Sequence, residues 1–183
     1  MTATAEAPSA ALECGPADAE IFRTLWRGFG SSVALVATEY QGQRHAMLAT
    51  AATSVSMEPP SLLICVNRSA SAFAALDARG AFSLGILPSA HQGIGAHIAK
   101  SASAQRFERG EWREYASVPG DTTGGLPWLA EAQATLFCET EQTCDYGTHR
   151  ILVAQVTGAA GCLGDDPLLY CNGRFGRFVE VEA

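Results

Sequence analysis

The sequence has no long apolar run and no cluster of basic residues. Its longest stretches without charged or turn residues are too short to span a bilayer, which takes about 20 apolar residues. Acidic residues outnumber basic ones by 19 to 12, so the 183-residue chain carries a net charge of −7. Such a chain lacks the positive surface that holds a nucleic-acid backbone or anionic lipid. Binding to nucleic acid or to a membrane is therefore not expected.

Familiar catalytic motifs are missing as well. The chain contains no G-x-x-x-x-G-K-[ST], no G-x-S-x-G and no H-E-x-x-H. Its four histidines do not lie at metal-ligand spacings with carboxylates. The sequence therefore predicts no metal site and gives little support to a hydrolase that works without a cofactor.

The cysteines show no C-x-x-C spacing, and the Ala-rich start has no Lys or Arg before Arg23. Such a start is typical of neither a secretory nor a transit peptide, so we expect a cytoplasmic protein with free thiols. Two of the thiols lie in apolar runs and are expected to be buried, Cys65 and Cys138. The six cysteines are Cys14, Cys65, Cys138, Cys144, Cys162 and Cys171.

The hydrophobic pattern predicts a mainly β, antiparallel barrel with peripheral helices. After the N-cap candidate Asp18, apolar residues recur at helical spacing and predict a helix docked on a sheet. We expect residues 1–17 to be a flexible tail and residues 18–183 to form one domain. A polar surface loop, or lid, is expected at 112–125. Strands are predicted at 33–38, 44–56, 61–66, 81–87, 134–143, 150–160 and 168–171, and further helices at 71–79 and 88–100.

Small and hydroxylated residues fill the stretch 49–56. Small side chains let a flat ligand approach the backbone, whose N–H groups can then bond its heteroatoms. The alternative is a bulged edge strand whose Ser and Thr side chains face water. Composition alone leaves both interpretations open.

A second polar cluster, residues 67–71, follows an apolar strand and precedes a helix. Its hydroxyls and the N–H groups of the helix start could bind a phosphate. The alternative is an ordinary helix cap, with Ser69 or Ser71 as the N-cap residue.

The order and spacing of several short motifs resemble the short-chain flavin reductases, the flavin-binding split-barrel components of two-component flavin monooxygenases. The resemblance covers roughly residues 20–178. It rests on Met47, residues 49–51 and 54–56, Pro59, Pro60 and 65–67, supported by 22–23, 30–33, 82–87, 106–107, 125–127, 147–149, 167–170 and 173–175.

This resemblance implies an antiparallel Greek-key split β-barrel that reduces FMN or FAD with NADH or NADPH. It implies a homodimer with the flavin near the subunit interface, and a partner monooxygenase that receives reduced flavin by diffusion. His149 would position the nicotinamide; a turn-capping histidine is the alternative. The implied flavin-binding residues are Ala46, Leu48, Ala49, Thr50, Ala51, Ser54, Val55, Ser56, Asn67, Ser69, Ser71, Arg106 and Phe175, of which Ser69 and Ser71 would contact the phosphate.

Two other functions are compatible with a small barrel of this kind. A pyridoxamine-phosphate oxidase-like enzyme would share the fold, although more basic residues around its phosphate would be expected. A non-catalytic flavin- or haem-binding protein would need an axial ligand, for which His91 and His97 are the candidates.

Overall fold

A computed structural model describes residues 15–116, 125–161 and 166–181. Most of the predicted tail, residues 1–14, lies outside this part of the chain. Cys14, Cys162 and residues 117–124 of the predicted 112–125 loop also lie outside it.

Three α-helices and twelve strands make up the described residues, together with two 3-10 helices, Ser89–His91 and Ser103–Phe107. The α-helices are α1 (Ala19–Trp26), α2 (Phe73–Arg79) and α3 (Gln92–Lys100). The strands are β1 (Ser31–Ser32), β2 (Ala34–Tyr40), β3 (Gln43–Ala49), β4 (Ala52–Met57), β5 (Pro60–Asn67), β6 (Ala81–Ile86), β7 (Trp112–Tyr115), β8 (Leu126–Leu129), β9 (Ala134–Tyr146), β10 (His149–Gly161), β11 (Leu168–Cys171) and β12 (Arg174–Arg177).

Seven strands form one antiparallel sheet in the order β3-β2-β6-β9-β10-β5-β4. The strands at its two ends, β3 and β4, are consecutive in the chain and are separated only by Thr50 and Ala51. The sheet must therefore curl so that its ends approach each other. A hydrogen bond of 2.9 Å from the N–H of Cys65 to the carbonyl of Ala51 holds this bend against β5.

Hydrophobic side chains pack on both faces of the curled sheet. On β5, buried Leu62, Ile64 and Val66 alternate with half-buried residues, as the two-residue period of a strand requires. These residues join Phe82 and Leu152 in the interior cluster of the barrel. A second cluster lies between β2–β3, α3 and β11, and it includes Leu35, Ala46, Ile98 and Leu168.

The structure corrects several details of the sequence-based prediction. Residues 112–115 are not loop but strand β7, which pairs with β8. The single strand predicted at 44–56 is broken at Thr50, where the chain turns from one sheet end to the other. Cys138 is buried as expected, whereas Cys65 is only half-buried because it faces outwards from β5.

Helix α1 forms where it was predicted, but it is not docked on the sheet. Asp18 caps it by accepting hydrogen bonds from the N–H groups of Glu20 and Ile21. No residue of α1 is buried, and the aromatic rings of Phe22 and Trp26 stack on each other in the open. The apolar face of α1 is therefore uncovered in the single chain.

Within the described residues, no helix is long and apolar enough to cross a membrane.

Candidate functional site

Strand β3 and the bend after it expose a row of small residues at one end of the sheet. Ala46 and Ala49 are buried and Leu48 is half-buried, whereas Thr50 and Ala51 are exposed. Because β3 ends the sheet, one side of its backbone has no neighbouring strand. The backbone of β3 is therefore open on this side, which both interpretations of residues 49–56 allow.

Strand β4 continues the row with exposed Ser54 and Val55 and half-buried Ser56. Its pairing with β5 shifts between Ser54 and Ser56, which is a bulge. The hydroxyl of Ser56 donates to the carbonyl of Glu58 and accepts from its N–H, both at 3.0 Å. Ser56 is thus engaged locally, and the exposed residues of β4 are Thr53, Ser54, Val55 and Met57. The bulged edge strand that the sequence analysis gave as the alternative is therefore present.

The 67–71 loop has its own hydrogen-bond network. Oδ1 of Asn67 accepts from the N–H and from the hydroxyl of Ser69, both at 2.9 Å. The alternative interpretation of a serine N-cap is wrong, because α2 has Ala72 at its N-cap and no side-chain cap. Ser69 and Ser71 are both exposed.

Arg106 joins this loop to β3. Its Nη1 donates to the carbonyl oxygen of Ala46 at 2.6 Å and to Oγ of Ser71 at 3.0 Å, while its Nε donates to the carbonyl of Ser101 at 3.2 Å. The half-buried guanidinium therefore places a fixed positive charge beside Ser71. Sequence alone could not pair these residues, which lie 60 and 35 positions apart.

His149 begins β10 and lies opposite Asn67 of β5. Its ring is exposed, and Nδ1 lies 2.9 Å from the hydroxyl of Thr148. Arg68 connects the 67–71 loop to this turn by two hydrogen bonds. Its backbone N–H donates to the carbonyl of Thr148 at 3.0 Å, and its Nη2 donates to the carbonyl of Gly147 at 2.6 Å. The sequence analysis placed Arg68 in the 67–71 cluster but missed its contact with this turn, because the partners are 79 positions apart.

Arg150 also stabilises this turn. Its guanidinium makes ion pairs with Asp145 and Asp77, each at 2.6 Å, and lies 5.4 Å from the ring centre of Phe73. The hydrogen bond from Arg150, together with its charge and that of Arg68, holds the pKa of the Asp145 carboxyl below its usual range. Helix α2 and the turn that carries His149 are therefore tied together.

A cleft of about 510 Å³ opens beside Ser71, between the start of β3 and the 3-10 helix Ser103–Phe107. The guanidinium of Arg44 lies 4.8 Å from the ring centre of Phe107 inside it. A smaller hollow of about 240 Å³ adjoins the cleft and shares Ser71 and His45 with it. The cleft is lined by Gln43, Arg44, His45, Ser71, Ser103, Ala104 and Phe107.

Phe175 does not join the polar group of candidates. It lies on β12, half-buried in the second hydrophobic cluster together with Leu48, and meets Tyr170 edge to face at 5.6 Å. It packs against the hydrophobic cluster on the face of β3 that carries Ala46 and Leu48. Ala46, Asn67, Ser69, Ser71, Arg106 and His149, in contrast, are linked by the contacts given above.

The two histidines proposed as haem ligands differ: Nδ1 of His91 is buried and has no hydrogen-bond partner among the described residues, whereas His97 is engaged. Both ring nitrogens of His97 are engaged, Nε2 with the carbonyl of Gln105 at 2.8 Å and Nδ1 with the hydroxyl of Ser101 at 3.2 Å. His97 therefore ties α3 to the next segment. Among the described residues, no group of three or more His, Cys, Asp or Glu is placed to hold a metal ion.

The curled antiparallel sheet, whose two end strands are joined by the bend at Thr50 and Ala51, is a split barrel. Residues 26–178 match the flavin reductase like domain, and the chain belongs to that family. It is 32% identical over 155 residues to the FMN reductase (NADH) RutF of Agrobacterium fabrum, covering 84% of this chain and 85% of that one. It is 33% identical over 157 residues to the reductase component of FADH(2)-dependent resorcinol hydroxylase of a Rhizobium species, covering 84% of both chains.

Among solved structures, the NADH:FAD oxidoreductase SgcE6 of Streptomyces globisporus superposes with a TM-score of 0.80 at 29% identity, over 97% of this chain and 96% of that one. The mainly β, antiparallel split-barrel fold that the sequence predicted is confirmed. These relatives are reductases by name, so they favour neither the pyridoxamine-phosphate oxidase-like nor the non-catalytic alternative.

Proposed function

We propose that this chain is an NADH-dependent flavin reductase that supplies reduced flavin to a partner monooxygenase. The observation that carries the proposal is the junction of Arg106, Ser71 and Ala46 at the open end strand of a flavin reductase barrel. When bound, the flavin accepts a hydride from the reduced nicotinamide at its N5 atom. Because the cofactors supply that chemistry, the chain needs only to bind and orient them.

The flavin phosphate would be held by the 67–71 loop and Arg106. Among the described residues none accepts a hydrogen bond from Nη2 of Arg106, which leaves that nitrogen for a phosphate oxygen. Ser69 and Ser71 present hydroxyls on the same loop, and Asn67 orients the hydroxyl of Ser69 at 2.9 Å. A charge-assisted contact of this kind is stronger than a neutral one, so a net negative chain can still bind a phosphate.

The row of small residues would hold the flavin ring and ribityl chain. Exposed Thr50 and Ala51 present backbone groups at the bend, and the small residues Ala46 and Ala49 are buried on opposite faces of β3. Phe175 packs in the hydrophobic cluster that includes Ala46 and Leu48. The residues that we assign to the ring and ribityl chain are Ala46, Leu48, Ala49, Thr50, Ala51, Ser54, Val55 and Ser56.

His149 would orient the nicotinamide. Its ring is exposed beside Asn67, and the hydroxyl of Thr148 fixes the direction of Nδ1. In the His149→Ala variant we expect the KM for NADH to rise about tenfold, the size of one lost hydrogen bond, while flavin affinity changes by less than about twofold. His149→Gln, which keeps a polar group, should recover part of the loss.

One assay tests the function as a whole. Purified protein is mixed with FMN or FAD and NADH, and the loss of NADH absorbance is followed as flavin is added. A rate that tracks the flavin concentration supports the reductase, whereas a bound chromophore without NADH consumption would indicate a non-catalytic binding protein. Repeating the assay with NADPH determines the preferred nicotinamide.

The assembly would be a homodimer. Phe22, Leu25, Trp26 and Phe29 are each more than half exposed on or beside α1, an uncovered apolar face of a kind that monomers seldom show. In a two-fold dimer, one contact would bury this apolar face on both copies of the chain. Light scattering should give twice the chain mass of 19.2 kDa; a mass of one chain would contradict the dimer.

The remaining assignments follow from the same function. Residues 18–183 would form the reductase domain, which includes the matched residues 26–178. The cytoplasm supplies NADH and keeps thiols reduced, in agreement with the free thiols of Cys65, Cys138, Cys144 and Cys171. The monooxygenase would take reduced flavin by diffusion.

A further inference from the structure

The 510 Å³ cleft is not used by the flavin ring, the ribityl chain or the nicotinamide in the proposed function. It is continuous with the proposed phosphate site, because Ser71 lines it while accepting a hydrogen bond from Arg106. Its volume lies in the range of small-molecule sites, roughly 300–1,000 Å³. The cleft is therefore large enough to extend the ligand site beyond the phosphate.

The position of the cleft along β3 determines which part of a ligand can reach it. Arg106 meets β3 at Ala46, with Thr50 on one side and Arg44 on the other. At about 3.4 Å per residue, Thr50 lies roughly 14 Å and Arg44 roughly 7 Å from that point, in opposite directions. A flavin with its ring at the Thr50 end and its phosphate at Ser71 therefore points its phosphate towards the cleft. FMN ends at this phosphate, whereas FAD continues into a second phosphate, a ribose and an adenine.

The lining of the cleft has the groups that such a continuation needs. Phe107 is half-buried and its ring packs against Trp112, while the exposed guanidinium of Arg44 lies over the ring at 4.8 Å, so the outer plane of this guanidinium is the stacking surface. An adenine stacks on aromatic rings and on guanidinium planes, and a guanidinium also neutralises a phosphate. Nδ1 of His45 is buried and has no hydrogen-bond partner among the described residues.

We propose that this cleft binds the adenosine monophosphate half of FAD, and that FAD is consequently the preferred flavin of this chain. The inference rests on the proposed function, because it takes the phosphate position from that site. Arg44 and Phe107 hold the adenine and the second phosphate.

Flavin binding measured without NADH tests the proposal. Dissociation constants for FAD and FMN are determined by fluorescence titration for the wild-type protein, Arg44→Gln and Phe107→Leu. The control is Arg113→Gln, an exposed arginine that also lies over an aromatic ring, that of Trp128 at 5.7 Å, but outside the cleft. We expect each cleft variant to bind FAD about tenfold more weakly and FMN within about twofold of wild type, with the control unchanged.

Three results would overturn the proposal: a wild-type protein that binds FMN as tightly as FAD, equal losses for both flavins, or no loss of FAD binding. Phe107 also packs against Trp112, at 4.4 Å between ring centres, so its variant is checked by circular dichroism. Arg44 is exposed, and its variant decides the matter if Phe107→Leu does not fold.

NADH also carries an adenosine, and a second measurement distinguishes the two sources. The KM is determined for NADH and for reduced nicotinamide mononucleotide, which lacks the adenosine. Under the proposal, Arg44→Gln leaves the ratio of the two KM values within about twofold of wild type, which is less than the loss of one contact. A raised KM for NADH alone, with FAD binding unchanged, would assign the cleft to the nicotinamide dinucleotide and overturn the proposal. Failure of the wild-type protein to oxidise NADH with any flavin would refute the reductase function but not the FAD titrations.

Discussion

Replacing Arg106 by Met should destabilise the protein and weaken its binding of phosphorylated flavins. The guanidinium donates three hydrogen bonds, to the Ala46 carbonyl, the Ser71 hydroxyl and the Ser101 carbonyl, at 2.6, 3.0 and 3.2 Å. A hydrogen bond from a charged donor contributes about 1.5–3 kcal/mol, and the half-buried position screens part of that. Since Met keeps the apolar stem, we expect a net loss of about 2–3 kcal/mol. For a domain of this size that corresponds to a fall in Tm of about 4–12 °C.

Two assays separate the structural effect from the binding effect. Calorimetry measures the Tm, and fluorescence titration compares FMN with riboflavin, which has no phosphate. FMN affinity should fall about tenfold or more in Arg106→Met, and riboflavin affinity should change far less. The control is Arg109→Met, an exposed arginine three residues further along. An unchanged Tm would refute the bracing role, and equal losses for FMN and riboflavin would refute the phosphate contact.

Three further predictions follow from the same region and from the thiols. The double variant Ser69→Ala/Ser71→Ala should weaken FMN binding about tenfold while riboflavin binding changes little; parallel losses would argue against phosphate contacts in this loop. Because the pKa of Asp145 is lowered in the folded state, its contribution to stability is present above the unfolded pKa of about 3.9 and is lost as the pH falls through the folded pKa. Denaturation midpoints measured down to pH 3 should therefore fall less steeply in Asp145→Asn than in the wild type, and identical slopes would contradict this. Burial raises the pKa of the Cys138 thiol to about 12, so at pH 8 a thiol reagent should modify exposed Cys144 at once and Cys138 only after unfolding, as mass spectrometry of the peptides would show.

Local signals made part of the fold predictable. Asp18 followed by an apolar helical period is sufficient to predict the start of α1, because a cap and a periodic face act within a few residues. The turn between β2 and β3 has a local signal of the same kind in Gly42, whose φ of 74° lies in the region that glycine tolerates. Each of these features depends on neighbours in the sequence.

The features that the sequence did not reveal depend on distant partners. Strand β7 has a polar sequence and is a strand because it pairs with β8, so its residues alone indicated a loop. The apolar face of α1 predicted docking, but its period does not say whether the partner surface belongs to the same chain. Within the candidate site, Arg68 contacts Gly147, which lies 79 positions further along the chain. Proximity of this kind is created by the register of β5 against β10.

The grip of Arg68 on the turn before His149 has a thermodynamic consequence. Its backbone belongs to the proposed phosphate loop, and its hydrogen bonds to Thr148 and Gly147 fix the proposed nicotinamide side. If one ligand orders the segment that binds it, this connection also restrains the segment that binds the second ligand, so the second ligand pays a smaller entropy cost on binding. By linkage, the factor by which flavin changes the affinity for NADH equals the factor by which NADH changes the affinity for flavin. Under the proposed function, Arg68 would therefore couple the two binding equilibria without contacting either ligand.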